Sequence, residues 1–190
     1  MGLKATLTYR FDEGEHPDLE AVRVTVGTGS MRVIGTHSRL VRLAGEIADG
    51  AVTWLCPARY LRDVALPAME KGAKLRGVAR PRLVGHAFLA LTTNQVDLQK
   101  AIGETVAFYP KPTNYQEMFV AAGYAEARSG NWSPGMIDAV ILNGDAAACA
   151  SKVRDFVAVS GCDELILSVM ATGADRASSV QRTLDFVGAL

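Results

Sequence analysis

Segments with strand character alternate with segments of helical periodicity from residue 31 to the end of this chain. This order restricts the fold more than any other feature. Short apolar runs at residues 32–34, 51–55, 83–91 and 164–170 are each followed by apolar residues spaced three and four positions apart. Strands that are separated by helices in this way form a parallel sheet. The sequence therefore predicts an α/β fold with about four parallel strands.

The strand count leaves two architectures open. A closed (β/α)8 barrel needs eight strands and about 250 residues, whereas this chain has 190 residues. The four strands can therefore form an open sheet or half of a barrel. Residues 5–11 and 22–26 have weaker strand character, and they can pair as an N-terminal hairpin ahead of the α/β part.

Composition excludes several classes of protein. The length suffices for one domain with a sizeable core, so we treat residues 1–190 as a single domain. Twenty basic and twenty acidic residues cancel, which predicts no nucleic acid partner and no anionic membrane surface as a partner. No apolar run reaches the roughly 18 residues of a transmembrane helix. Three widely spaced cysteines without a CxxC pair predict no metal site, no disulfide framework and a reducing, cytoplasmic location.

The first strand, loop and helix of the α/β part contain the best candidate binding site. The loop consists of Gly35, Thr36, His37 and Ser38, with Ser38 at the expected N-cap position of the helix. Such a loop points free backbone amides and the positive end of a helix dipole towards an anion, and a phosphate suits it best. Every βα unit needs a connection of this kind, so spacing alone leaves an ordinary turn as the alternative.

Four single residues have two interpretations each. His86, in the middle of an apolar strand, is either a hydrogen-bonded core residue or a barrel-lining catalytic residue. Cys56 follows a strand end, where barrels carry functional groups, but no base accompanies it, which favours a small buried residue. Trp54 packs internally or lines a pocket, and Asp175 caps the last helix or contacts a ligand. None of the common hydrolase, P-loop or zinc motifs is present, so the catalytic residues are unknown.

Several segments are similar to those of a known family, and they follow one another in the same order as in that family. They are residues 35–38 with 43–50, residues 107–109 with 114–115, residues 119–123, residues 143–145 and residues 161–167. With these segments the chain resembles the luciferase-like monooxygenase superfamily, and most of all its branch that uses the deazaflavin F420. The resemblance covers residues 31–190, whereas residues 1–30 match only loosely and form an N-terminal extension.

The resemblance implies a fold, a cofactor and a site. Members of the superfamily are (β/α)8 barrels, and this chain resembles their C-terminal half, from the fifth strand to the eighth. The loop after the fifth strand helps to hold the cofactor phosphate in these proteins, which assigns Gly35, Thr36, His37 and Ser38 to cofactor binding. The implied function is that of an F420- or FMN-dependent oxidoreductase or monooxygenase with a small-molecule substrate.

The chain also departs from the family pattern. Family members carry much of the isoalloxazine pocket and the catalytic groups on the first half of the barrel, and no part of this sequence corresponds to that half. We therefore expect a homo-oligomer, such as a dimer, or a partner chain that supplies the missing half-barrel. A non-catalytic half-barrel that binds flavin or another ligand, or a subunit of a split enzyme, is the alternative.

Overall fold

A parallel sheet forms the centre of the described part of the chain. The computed structural model describes residues 32–34 and 37–190, and the segments predicted as a hairpin lie outside this part. The described strands are β1 (Arg32–Ile34), β2 (Gly50–Val52), β3 (Arg82–Leu91), β4 (Ile141–Gly144) and β5 (Glu164–Val169). All of their pairings are parallel, which confirms the predicted α/β class. Strand β4 was not among the four predicted strands, because this segment is short and directly follows a helix.

Helices connect the strands. They are α1 (Ser38–Ile47), α2 (Ala58–Tyr60), α3 (Leu66–Arg76), α4 (Gln95–Thr105), α5 (Thr113–Ala121), α6 (Pro134–Val140), α7 (Ala146–Ser160) and α8 (Arg176–Gly188). A π turn, Leu61–Ala65, joins α2 to α3, and a 3₁₀ turn, Ala125–Ser129, follows α5. Residues 136–142, for which the sequence allowed a helix or a strand, are divided between α6 and β4.

Strand β3 lies at the centre of the sheet and has partners on both edges. Val84 is paired with Val52 of β2 and with Glu164 of β5, so these two strands lie on opposite edges of β3. Further along, Phe88 is paired with both β4 and β5. Strand β4 therefore continues the edge that β2 occupies, and the main order is β1-β2-β3-β5. Among the described strands, nothing is paired with the outer edge of β1 or of β5.

The two faces of β3 have different surroundings. A Cβ atom on Gly85 would lie 3.3 Å from the Leu61 side chain, so this face packs against the helical layer. Because side chains alternate along a strand, Val84, His86 and Phe88 point to the opposite face, which we call the inner face. All three are buried.

The segment between β2 and β3 differs from its prediction. Apolar residues at helical spacing predict a helix over residues 58–72, which Pro67 should kink or interrupt. A π turn directly precedes α3, which accommodates the missing amide of Pro67 in the first turn of that helix. The basic residues between 71 and 80 predict a loop, and this prediction is wrong for residues 71–76, which are helical. Apart from Gly72 these residues have good helix propensity, and Ala73 among them is buried. Gly77 ends the helix with φ +74°.

Helices α1 and α3 cross with their backbones in contact. A Cβ atom on Gly45 would overlap the Met69 carbonyl oxygen, and one on Gly72 would overlap the Arg42 carbonyl oxygen. Glycine is therefore required on both helices at this crossing. The contact fixes α1, and with it the start of that helix, on a rigid support.

Candidate functional site

The predicted phosphate loop leads into the N-terminus of α1. The helix begins at Ser38, and the His37 Nδ1 atom accepts a hydrogen bond from the Arg39 amide at 3.3 Å. His37 is therefore the N-cap, and the prediction of Ser38 in this role is wrong by one residue. The two residues follow β1 at its carboxyl end, where parallel α/β folds bind ligands. Gly35 and Thr36 lie outside the described residues.

Two amides at the start of α1, those of Ser38 and Arg39, already have partners within the chain. The Val41 amide donates to the His37 carbonyl oxygen at 3.1 Å, as in an ordinary helix. The backbone of Ser38 is hydrogen-bonded to the Tyr60 phenol, and burial raises the pKa of this phenol well above its usual value. Tyr60 therefore keeps its proton at neutral pH. An anion at this helix terminus would bind beside Tyr60 or replace its contact with Ser38.

A strained segment after β2 forms the second part of the site. Leu55 has a φ of +53°, a left-handed conformation that a leucine adopts only when its surroundings hold it there. The Thr53 hydroxyl donates to the Val84 carbonyl oxygen at 3.0 Å, and the Leu55 amide donates to His86 Nδ1 at 3.4 Å. These two bonds attach the segment to β3 and set the direction of Trp54 between them.

His86 is a neutral, buried residue with both ring nitrogens engaged. Its Nδ1 accepts from the Leu55 amide, so its Nε2 carries the proton and donates to the Ser168 hydroxyl at 2.9 Å. Burial lowers the pKa of His86 from 6.5 to about 4. The interpretation of a hydrogen-bonded core histidine is confirmed.

Three aromatic rings form a cluster on the inner face. Trp54 stacks on His86 with ring centroids 3.7 Å apart and an angle of 12° between the planes, and Phe88 meets both rings edge-on. We call Trp54, His86 and Phe88 the inner-face cluster. The Trp54 Nε1 atom is buried and has no hydrogen-bond partner among the described residues. Next to this cluster Ile166, the register partner of His86, is 41% exposed.

Sequence reasoning identified Trp54 and His86 separately but did not predict their contact. The contact follows from the parallel register that pairs Val52 with Val84, which places the residues two positions further on side by side. Neither strand carries a local signal for this register. A stacked tryptophan and histidine could have been found from sequence only after the two strands had been aligned.

The cysteines have structural roles. Cys56 is fully buried, and burial raises the pKa of its thiol to about 12, so the thiol is protonated and weakly nucleophilic. The thiol of Cys149 is buried against the carbonyl oxygens of β3 and β4, and burial raises its pKa as well. The interpretation of Cys56 as a small buried residue is confirmed. Asp175 caps α8 by accepting a hydrogen bond from the Ser178 amide at 3.0 Å, the simpler of its two interpretations.

Two further tyrosines lie near the segment that follows β2. Burial raises the pKa of the Tyr115 phenol of α5, and the nearby Tyr109 and Cys56 raise it further. Tyr109 meets the Tyr115 ring edge-on at 5.2 Å. Tyr60 and Tyr115 therefore both lie near Cys56, the residue that follows the segment after β2.

Among the described residues, no group of three or more His, Cys, Asp or Glu side chains is arranged to hold a metal ion. None of the described helices has both the length and the apolar character needed to cross a membrane.

Comparison with known proteins identifies the fold. No family model and no curated protein sequence matches the chain. Among solved structures, it is similar to the coenzyme F420-dependent tetrahydromethanopterin reductase from Methanopyrus kandleri. The match has 18% identity and a TM-score of 0.57, and it covers 80% of this chain and 48% of the reductase.

Two flavin proteins have similar folds. One is the oxygenating constituent of 3,6-diketocamphane monooxygenase from Pseudomonas putida, solved with FMN. It has 15% identity and a TM-score of 0.59, over 97% of this chain and 56% of the monooxygenase. The other is flavoprotein 390, with 12% identity and a TM-score of 0.56, over 94% of this chain and 74% of that protein.

The comparison confirms the predicted fold class. The reductase and the monooxygenase are luciferase-like (β/α)8 barrels, and this chain spans about half the length of each. The described α/β part therefore has the fold of half of a luciferase-like barrel. At these levels of identity the likeness concerns the fold alone.

Proposed function

We propose that this chain binds F420 or FMN and, within a complete barrel, acts as an oxidoreductase or monooxygenase on a small molecule. Gly35, Thr36, His37 and Ser38 hold the cofactor phosphate in this proposal. The observation that carries it is the start of α1 at the carboxyl end of β1, in a fold shared with F420- and FMN-dependent enzymes.

The charge around the start of α1 supports a phosphate at this position. The first turn contains no acidic residue, so nothing there opposes the positive end of the helix dipole. Arg39, in the same turn, adds a positive charge at the surface. The protonated Tyr60 phenol lies against Ser38 and can take part in hydrogen bonding to a phosphate oxygen without adding a negative charge.

The inner-face cluster supports a planar ring beside it. The rings of Trp54 and His86 are neutral and packed, and the partly exposed Ile166 adds an apolar contact surface on the same face. F420 or FMN supplies hydride or oxygen chemistry when bound, whereas the protein binds, orients and shields the ring from water. The residues described on the inner face fit the role of binding, orienting and shielding the cofactor ring.

The described inner face offers no acid–base pair for turnover. Glu164 is the first residue of β5, and it is held in an ion pair with Arg82 at 2.5 Å, at the amino end of the sheet. The carboxyl end, where α1 begins, is the opposite end. Both ring nitrogens of His86 are engaged, and the ring is buried. We therefore assign cofactor binding to this chain and leave proton transfer to groups outside the described half-barrel.

A matched pair of helix-cap variants tests the phosphate site. His37→Asp keeps an N-cap acceptor at α1 but places a negative charge beside the proposed phosphate. Asn94→Asp makes the same change at α4, where Asn94 accepts from the Val96 and Asp97 amides. Fluorescence titration with FMN and with F420 is the measurement. We expect His37→Asp to weaken binding at least about tenfold, because the two like charges repel.

The Asn94→Asp variant is the control for the assignment of the phosphate site to the start of α1. Asn94→Asp should leave the dissociation constant unchanged, and both variants should retain the melting temperature of the original protein within a few degrees. Equal affinity for His37→Asp and the original protein would remove the α1 terminus from the site. A similar loss in both variants would indicate a general effect of charge instead.

Binding without turnover is the second candidate function. The comparisons leave room for it, because this chain spans 74% of flavoprotein 390, whose name refers to its flavin and not to a reaction, but only about half of the two enzymes. An assay with reduced cofactor and either oxygen or another electron acceptor distinguishes an enzyme from a protein that only binds the cofactor. Oxidation of the bound cofactor coupled to substrate conversion supports the enzyme, whereas tight binding without conversion supports the binder.

A further inference from the structure

Strand β5 lies at an edge of the sheet and is paired, among the described strands, with β3 alone. Its six residues are all half-buried or exposed, whereas Leu83 to Ala90 of its neighbour β3 are all buried. Ile166 is 41% exposed although it points to the inner face. A long apolar strand with one open edge normally recruits another strand or is protected against it. No described strand occupies that edge.

Helix α8, which follows β5, also has an incomplete apolar surface. Its buried residues are Ser179 and Thr183, which are small and polar. Its larger apolar residues are left outside the core, and Leu184 is 50% exposed. In a barrel, each helix packs against the helices on both sides. The open strand edge and the open helix surface therefore occur in the same βα unit.

The other end of the sheet has a complementary edge. Strand β1 is paired with β2 on one side and with no described strand on the other. Because all strands are parallel, the open edges of β1 and β5 run in the same direction. A strand such as β1 can therefore continue the sheet beyond β5 without any reversal of chain direction.

We propose that a second copy of this chain closes the barrel, with β1 of each copy paired to β5 of the other. Each copy contributes β1, β2, β3 and β5, so two copies supply the eight strands of a (β/α)8 barrel. A twofold axis along the barrel axis relates the copies and preserves strand direction. The two contacts are head-to-tail and close on themselves, which leaves no open edge.

The arrangement has a consequence for the ligand site. All carboxyl strand ends lie at one mouth of the barrel, and the two β1 strands are separated by four positions around it. The two α1 N-termini, each with its His37 and Ser38, therefore lie on opposite sides of the same mouth. The inner-face clusters of the two copies face a common interior. This inference concerns assembly and does not depend on which cofactor binds, or on whether one binds.

A charge on the inner face of β5 tests the closure. Ile166→Lys replaces a partly exposed side chain, so the single chain can keep its fold, but closure would bury the new ammonium group. Val157→Lys is the matched control, because Val157 is also 41% exposed and lies on α7. Light scattering after size-exclusion chromatography, over a range of concentrations, gives the mass of each full-length variant.

We expect the original chain and Val157→Lys to have twice the 20.2 kDa mass of one chain. Ile166→Lys should be monomeric at the same concentration, with at least about a hundredfold weaker association and an unchanged circular dichroism spectrum. A monomeric original chain overturns the proposal, and so does a dimer that Ile166→Lys leaves intact.

Amide hydrogen exchange distinguishes this closure from any other dimer. The Met170 amide donates to the Leu89 carbonyl oxygen, so the alternation of the ladder turns the Leu167 amide towards the outer edge of β5. We expect this amide to be protected in the original dimer and to exchange at least about a hundredfold faster in Ile166→Lys. A protected Leu167 amide in a monomer would mean that another part of the same chain covers the edge, and would exclude the second copy.

Discussion

Strands β3 and β5 are neighbours with similar apolar sequences but different surroundings. Both were predicted as buried strands, and this is correct for β3 and wrong for β5, whose residues are all at least partly exposed. The difference arises because β3 has partners on both edges and side chains over both faces. An apolar run predicts a buried strand. The exposure of β5 indicates that the groups which would bury it are not among the described residues.

The largest expected effect compares the two strands directly. Leu89 of β3 is fully buried, and Leu89→Ala should lower the free energy of unfolding by about 3–4 kcal/mol. Leu167→Ala, at a half-buried position of β5, should lower it by about 1–2 kcal/mol, because less of the side chain leaves a packed environment. Urea denaturation measures both, with each substitution made in the monomeric Ile166→Lys background. Equal losses would show that β5 is packed as well as β3.

A smaller effect concerns the buried histidine of β3. The pKa of His86 is lowered from 6.5 to about 4 by burial. Between these values the unfolded chain binds more protons than the folded one, so the free energy of unfolding falls as the pH falls from 6.5 to 4. His86 is fully buried among neutral groups, Trp54, Phe88 and Ser168, and none of these can compensate its charge. The full contribution is about 3 kcal/mol.

The variant His86→Gln isolates this effect. An amide keeps hydrogen-bonding capacity but does not titrate in this range. We expect the stability of the original protein to decline more steeply than that of the variant between pH 6.5 and 4, and to run parallel to it above pH 7. Parallel curves over the whole range would mean that His86 is protonated as easily in the folded protein as in the unfolded chain.

Local signals in the sequence predicted single elements well. Asp145 is a favoured N-cap residue and Gly161 a favoured helix-ending residue, and the two delimit α7, since one is its N-cap and the other ends it with φ +64°. The limits of β3 and the cap of α8 followed from equally local patterns. Each of these features depends on residues within a few positions of one another, so a short stretch of sequence is enough to predict it.

Features that depend on distant residues were not predictable in the same way. Gly45 and Gly72 look like ordinary helix residues until α1 and α3 are packed together. The stacking of Trp54 on His86 depends on the register between β2 and β3. The start of α1 was predicted to within one residue, but the contact of Tyr60 with Ser38 comes from a separate helix and was not predicted. Register and packing decide these details, and neither has a short sequence signature.

The central claim is that the start of α1 holds the phosphate of a flavin-type cofactor. Two titrations with matched ligands test it most directly: FMN against riboflavin, and F420 against the same deazaflavin without its phosphate tail. Each pair shares a ring and differs in the phosphate-bearing part. We predict that at least one phosphorylated ligand binds about tenfold or more tightly than its phosphate-free counterpart. Equal affinity within both pairs, or no binding of any of the four ligands, would contradict the account.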